Sequence, residues 1–301
     1  IPICSSYLRA FGFSKEPLYA SIIGNVINFC LNAFFLFVLH KGVAGVATAT
    51  VISRIINLVI VVLLGAVLVK AKQHPERESN RAVMGQIIRI GLPSACETAI
   101  YNVSMTLVIR FLNQMDAQGL NVTARSYTMQ ITNFSYCVGA ALAQANAIMT
   151  GWHIGAKEYD ACDRGTKKAA VIGVIVAVIL ETVFTLCSGW IMQLFSKDPQ
   201  MVSLVGKLLA IDIVLEIGRV TNLVYGQALK TSGDAVFPVV MGACFMILCS
   251  VGGTYLFGIR LGLLAVGAYI GMTGDECVRA VGMYLRWKSG KWKEKGLVKS
   301  R

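Results

Sequence analysis

Ionisable residues recur inside stretches that are otherwise apolar, where a charge is costly unless it is paired or used. Six acids stand in such stretches: Glu97, Glu181, Asp212, Glu216, Asp275 and Glu276. Set against them are Arg54, Arg110, Arg219 and Arg279. If each arginine takes one acid, two acids remain, and those two could bind a proton or a small cation. Asp212, Glu216 and Arg219 fall at i, i+4 and i+7, on one helical face. Asp275 and Glu276 stand four and three residues before Arg279, so Glu-x-x-Arg occurs twice. A carboxylate and a guanidinium three apart pair within one helix or reach across to another. Two compatible readings follow: a salt-bridge network that locks two helices, and a protonatable or cation-binding cluster in a wet cavity.

Glu97 follows Gly91-Leu92-Pro93 by about one turn. It either caps the start of its own helix, where negative charge is favourable, or faces a cavity. Glu181 is alone in mid-segment, and its role is open. Arg54 and Arg110 lie near enough to segment ends to snorkel. Asn25, Asn28 and Asn32 form a stripe at i, i+3 and i+7. Such a stripe serves interhelical hydrogen bonding or the wall of a substrate cavity. Gln130, Asn133, Gln144 and Asn146 read the same way.

These residues need elements to carry them. The chain has 301 residues, of which 55% are hydrophobic and 15% charged, against about 25% charged in soluble domains. That composition argues against a disordered tail and against an ordinary soluble enzyme. A membrane span takes about 20 mostly apolar residues. Eight segments qualify: Leu18–Leu39, Val43–Val69, Ile90–Leu112, Val122–Thr150, Ala169–Phe195, Val202–Leu229, Ala235–Phe257 and Leu261–Leu285. The expected fold is therefore an all-α integral membrane protein with eight transmembrane helices in this chain. Most of the nine cysteines sit in the apolar runs, where Cys acts as a small hydrophobe. No CxxC occurs, so zinc or redox chemistry is not indicated.

The net charge is +12. Alternate connections differ sharply: nineteen bases fall on one side, and only Lys41, Lys197 and Arg260 on the other. Basic connections stay in the cytoplasm. The N-terminal residues, the linker 70–89, the connection 151–168 and the C-terminus are thus expected inside, in a multi-pass protein of the plasma membrane. The basic tail reads as a topology signal; membrane lipid is the expected surrounding, and no nucleic-acid partner is expected.

A repeat runs through the chain. Leu8-Arg9-Ala10-Phe11-Gly12 with Pro17 recurs as Leu229-Lys230-Thr231-Ser232-Gly233 with Pro238, at an offset of 221. Each copy enters a long apolar helix, reaches a turn at Gly42 or Gly262, and ends in another apolar helix. Residues 1–69 thus parallel roughly 222–290, as in secondary transporters built from repeated halves. Residues 90–286 then form a complete six-helix lobe, 1–69 the last two helices of a similar lobe, 70–89 the linker and 287–301 the tail. On this reading about four N-terminal helices of a 6+6 protein are missing from the chain. No GxxxxGK[ST], HExxH, GxSxG or DDxxD motif occurs. No enzyme activity, bound metal or cofactor is expected beyond a coupling ion.

Several segments resemble the multidrug and toxic compound extrusion (MATE) family. Ser6-Tyr7-Leu8-Arg9-Ala10-Phe11-Gly12 with Pro17, and Gly42-Val43-Ala44-Gly45-Val46-Ala47-Thr48-Ala49, resemble its fifth and sixth spans. Gly91-Leu92-Pro93-Ser94-Ala95-Cys96-Glu97 resembles the opening of its seventh. Gly139, Gly151, Gly155-Ala156 and Tyr159-Asp160-Ala161 resemble its eighth span and the loop after it. Leu229-Lys230-Thr231-Ser232-Gly233-Asp234 with Pro238, and Lys291-Trp292, fit its end. The resemblance implies export of cationic or amphipathic small molecules against an inward flow of Na⁺ or H⁺. It also implies two six-helix lobes around a cleft, rocking alternating access, and a monomer when full length. Two departures matter: the first helix of the N-lobe, which carries an acid in many members, is not in this chain, and in one Na⁺-coupled branch acids align with Arg219 and near Tyr101. The coupling ion is therefore not carried over.

Two rival functions share some of these features. A lipid-linked precursor flippase of the same superfamily would want an excess of cavity arginines for its pyrophosphate headgroup. Six acids against four arginines favour cationic cargo instead. A membrane prenyltransferase would need paired Asp-rich motifs, which the sequence lacks.

Overall fold

The computed structural model describes residues 1–70, 80–116 and 118–295. Among these residues ten α-helices occur and no strand. They are α1 (Pro2–Ala10), α2 (Lys15–Ala33), α3 (Gly42–Lys70), α4 (Asn80–Met115), α5 (Leu120–Gly155), α6 (Tyr159–Leu186), α7 (Ser188–Met192), α8 (Pro199–Thr231), α9 (Val236–Phe245) and α10 (Leu264–Lys288). Wider π-helical turns extend α2 over Phe34–Val38 and α9 over Met246–Val251 and Thr254–Arg260. Of the linker expected at 70–89, residues 71–79 lie outside the described residues, and from Asn80 onward it is helical.

The eight apolar segments all appear as long helices, with different limits. α4 begins at Asn80, not Ile90, and runs through Pro93. The expected connection 151–168 shrinks to residues 156–158, because α5 and α6 continue as helix past their apolar runs. The segment Ala169–Phe195 breaks at Cys187, between α6 and the short α7. Hydropathy reports where a helix meets lipid, whereas helix ends follow backbone hydrogen bonding and caps. Among the described residues, four helices are long and apolar enough to span a membrane on length and composition alone: α2 and α9 with their π turns, α3 and α6. The other four, α4, α5, α8 and α10, carry the ionisable residues that lower their hydropathy.

Residues 1–79 and 80–301 form two compact units. In the first, Leu8, Ala20, Val61 and Val69 make a small core. Asn28 on α2 donates to Ser53 Oγ on α3 at 3.0 Å, and Asn32 donates to Asn28 at 3.1 Å. In the second unit α8 is central, packing against α5, α6 and α10. Close approach is set by small residues: a Cβ on Gly139 or on Gly173 would stand 2.8 Å from a methyl of Val220, so Val220 fills a notch between α5 and α6. Outward faces are apolar, with Ile175, Ile179, Leu248 and Val281 exposed, while Glu181, Asp212, Glu216, Asp275 and Arg279 are buried. This inverted polarity suits a bilayer, where the surround is hydrocarbon and charges face the bundle interior.

The sequence repeat is visible in the backbone. Gly12 and Gly233 both take a left-handed turn, with φ of 89° and 91°. The five-residue bonds Leu39 N–H to Phe34 O (3.1 Å) and Leu261 N–H to Leu256 O (3.0 Å) recur, as do Lys41 to Phe35 (3.0 Å) and Leu263 to Phe257 (3.1 Å). These bonds correct the alignment of the second turn. His40 (φ 48°) matches Gly262 (φ 69°), and Gly42 (φ 54°) matches Leu264 (φ 53°). Both copies need two left-handed residues, and each places its glycine at the opposite one.

Connections are pinned by polar caps. Asp116 accepts from the backbone of Leu120 (2.9 Å) and Asn121 (3.0 Å). Burial opposes its charge, yet these bonds hold its carboxyl below the usual value. Asp234, after α8, accepts from Arg286 (2.6 Å) and Lys295 (2.7 Å). Burial again opposes the charge, and the two cations outweigh it, lowering the carboxyl. Part of the basic tail is thus built into the fold: Trp292 is buried and stacks on Trp287 at 4.1 Å.

Candidate functional site

Two cavities of about 230 and 530 Å³ lie in the second unit. Tyr101, Tyr136, Arg219 and Glu276 line both, so the two join as one polar recess. Its walls come from α4, α5, α8, α10 and the π turn Met246–Val251, the helices whose polarity sets them apart.

An ion network crosses this recess. Arg279 forks onto Asp275 with two bonds of 2.9 Å and also reaches Glu276 at 2.9 Å. Ser250, in the π turn, donates to Asp275 at 2.9 Å. On α8, Arg219 Nη1 is 3.1 Å from Glu216 Oε2, an ion pair without hydrogen-bond alignment. Arg219 Nε stands 3.8 Å from Glu276, which also accepts from Asn222 at 3.0 Å. Gly218 permits the crossing, because a Cβ there would meet the α10 backbone at Glu276 and Cys277 at 2.9 Å. Both Glu-x-x-Arg motifs therefore pair within their own helix and across to the other.

Glu97 does not cap a helix start, because α4 continues well before it. Its carboxylate binds Lys230 of α8 at 2.5 Å, on the wall of the larger cavity. Two acids are left over, and they are Glu181 and Asp212. Glu181 is fully buried, and among the described residues neither of its carboxylate oxygens has a hydrogen-bond partner. Asp212, 2% exposed, lines the smaller cavity with one oxygen unpartnered.

Arg125, overlooked in the charge balance, also lines the smaller cavity. It is 7% exposed, and its Nε has no partner. Its presence three residues into the run Val122–Thr150 was signal enough. Lys207, inside the run Val202–Leu229 and exposed, was overlooked too. With these two, six bases match the six acids, so the charge argument for cationic cargo does not stand.

The MatE family profile matches residues 93–256, more than half of the chain. The chain belongs to the MatE family. It is 33% identical over 98% of its length to "Uncharacterized transporter YisQ" of Bacillus subtilis, spanning 66% of that protein. It is 22% identical, again over 98% of its length, to "Probable multidrug resistance protein YoeA" of Bacillus subtilis, spanning 65%. The chain thus spans just under two thirds of these relatives. Its fold matches the crystal structure of the eukaryotic MATE transporter AtDTX14 with a TM-score of 0.87 at 18% identity, over 96% of this chain and 65% of that one. These relatives are named as a transporter and as a multidrug resistance protein, which counts against the prenyltransferase reading.

Within this MatE fold Asp212, Arg219, Asp275, Glu276 and Arg279 meet in one recess and Glu97 lies on its wall, while Glu216 is fully buried and joins them only through Arg219. Of the polar stripes only Asn133 lines the recess; Gln130 and Gln144 are exposed. Asn146 binds Thr166 at 3.3 Å. Asn28 and Asn32 are engaged within the first unit, and Asn25 is exposed there. Arg54 and Arg110 are exposed, as snorkelling requires. Besides Arg125, the sequence reading missed Tyr101, Tyr136, Asn222, Lys230, Ser250 and Tyr269 as lining residues. Nothing in their spacing marks them, since each enters the recess from a different turn.

Proposed function

We propose that the chain supplies the coupling and substrate recess of a secondary active efflux transporter. It exports amphipathic small molecules by antiport with inward H⁺ or Na⁺, through alternating access, in the plasma membrane with the C-terminus inside. The observation that carries this reading is Asp212. It lines the recess, is buried, and has no base within ion-pair distance among the described residues. Arg219 and Arg279 are held by other acids, and Arg125, which lines the same cavity, forms no ion pair with Asp212. A buried carboxylate free of a fixed counter-charge must take up a cation or a proton, and cargo competing for it gives exchange.

Glu216 and Glu181 extend the same acidic region, while Glu276 ties α10 to Arg219 and Asn222 of α8 and Asp275 ties it to Ser250 of the π turn. The naming of YoeA and of a Thermotoga maritima relative as probable multidrug resistance proteins supports efflux over a flippase. The test is ethidium movement in liposomes containing the protein that carries this chain. An imposed H⁺ or Na⁺ gradient should drive the dye the opposite way. Dye movement indifferent to both gradients would contradict the reading.

A further inference from the structure

Arg125 presents a charge that no described residue neutralises by an ion pair. It lies on α5 within the bundle, and its guanidinium stays charged at any physiological pH. Its Nη2 donates to the sulfur of Met105 at 3.6 Å, a weak acceptor. Among the described residues no carboxylate lies within ion-pair distance of it, and its Nε is unpartnered. A buried charge is ordinarily paired, because isolation from water costs more than a fold of marginal stability can carry. Arg219 and Arg279, lining the same recess, both have carboxylates.

What Arg125 shares its cavity with is equally informative. Asp212 lines it too, with an unpartnered oxygen, and Tyr269 lies within electrostatic reach of both. One small cavity therefore displays an unpaired cation and an unpaired anion that are not bonded to each other. Tyr136, Met129 and Met272 supply apolar and polarisable wall to the same cavity, suited to an aromatic or aliphatic body. The planar fork of arginine matches a carboxylate with two parallel bonds.

We infer that the recess takes zwitterionic amphipathic substrates, with a substrate carboxylate on Arg125 and its cationic group towards Asp212. This rests on the efflux reading and names its substrate class. A purely cationic cargo would leave Arg125 buried and unsatisfied, and would be bound less well.

The test uses a matched pair of dyes, rhodamine B, which carries a free carboxylate, and its ethyl ester, which is a cation with the same aromatic body. Binding to the detergent-solubilised protein is read by fluorescence polarisation. The unsubstituted protein should bind rhodamine B more tightly than the ester. Arg125→Gln should weaken rhodamine B by about tenfold or more, equivalent to roughly 1.4 kcal/mol, and the ester by less than about twofold. Arg125→Lys should restore part of the rhodamine B affinity. The dye preference of the unsubstituted protein is measurable even if a variant fails to fold. Equal loss of both dyes in Arg125→Gln, or tighter binding of the ester by the unsubstituted protein, would overturn the inference and leave the efflux reading standing. Binding of neither dye would remove both.

Discussion

Arg219 of α8 stands 3.8 Å from Glu276 of α10, and this contact joins two ion-pair clusters that each begin within one helix. The joint is made where Gly218 brings the two backbones together. Any shift of α10 along or away from α8 is therefore felt by Glu216, and through its helix by Asp212 one turn earlier. Packing and charge are coupled at the same place.

The Asp275–Arg279 pair should behave as a buried bidentate lock. Arg279→Leu leaves Asp275 buried without its cation, at a cost of about 3–5 kcal/mol. Asp275→Leu should cost a similar amount. The double substitution to leucine should cost less than either single one, because two uncompensated charges are replaced by apolar contact. A double-mutant cycle on unfolding of the solubilised protein checks this, and additive losses would show that the two residues do not depend on each other.

Gly218→Ala should separate α8 from α10. The added Cβ meets backbone rather than a yielding side chain, so overpacking should cost about 1–3 kcal/mol. It should also erase the energetic coupling between Arg219 and Glu276. A melting temperature equal to that of the unsubstituted protein would mean that the crossing is looser than the structure shows.

Asp234 should give the fold a defined acid limit. Its carboxyl is held below the ordinary value by Arg286 and Lys295. A lowered carboxyl contributes stability that is complete above the unfolded value of about 3.9. That contribution is lost as pH falls through the lower folded value. Asp234→Asn should therefore be less stable at neutral pH by about 2 kcal/mol. The gap should close below about pH 4. Melting curves from neutral to acid pH measure it, and a gap that does not change with pH would exclude the carboxylate as its source.

The sequence showed the bundle and the ion network because both rest on local regularities. Apolar runs announce helices in lipid, and Glu216–Arg219 or Asp275–Arg279 pair at fixed helical spacing. Contacts that depend on distant packing were hidden. Lys230 read as a loop charge setting topology, yet the end of α8 brings it to Glu97, 133 residues earlier in the chain. Asn25, Asn28 and Asn32 share a face by spacing, but only the fold shows that Ser53 meets Asn28. The π turns follow no residue pattern, and one of them supplies Ser250. Arg125 was legible and was passed over, because its run remains apolar around it.

Whether Asp212 carries the coupling ion is decided by Asp212→Asn in liposomes containing the protein that carries this chain. Dye flux is followed with and without an imposed ion gradient, alongside dye binding to the same preparation. The expected result is a variant that still folds and binds dye but moves it no faster with the gradient than without. Full gradient-driven flux in Asp212→Asn would contradict that role.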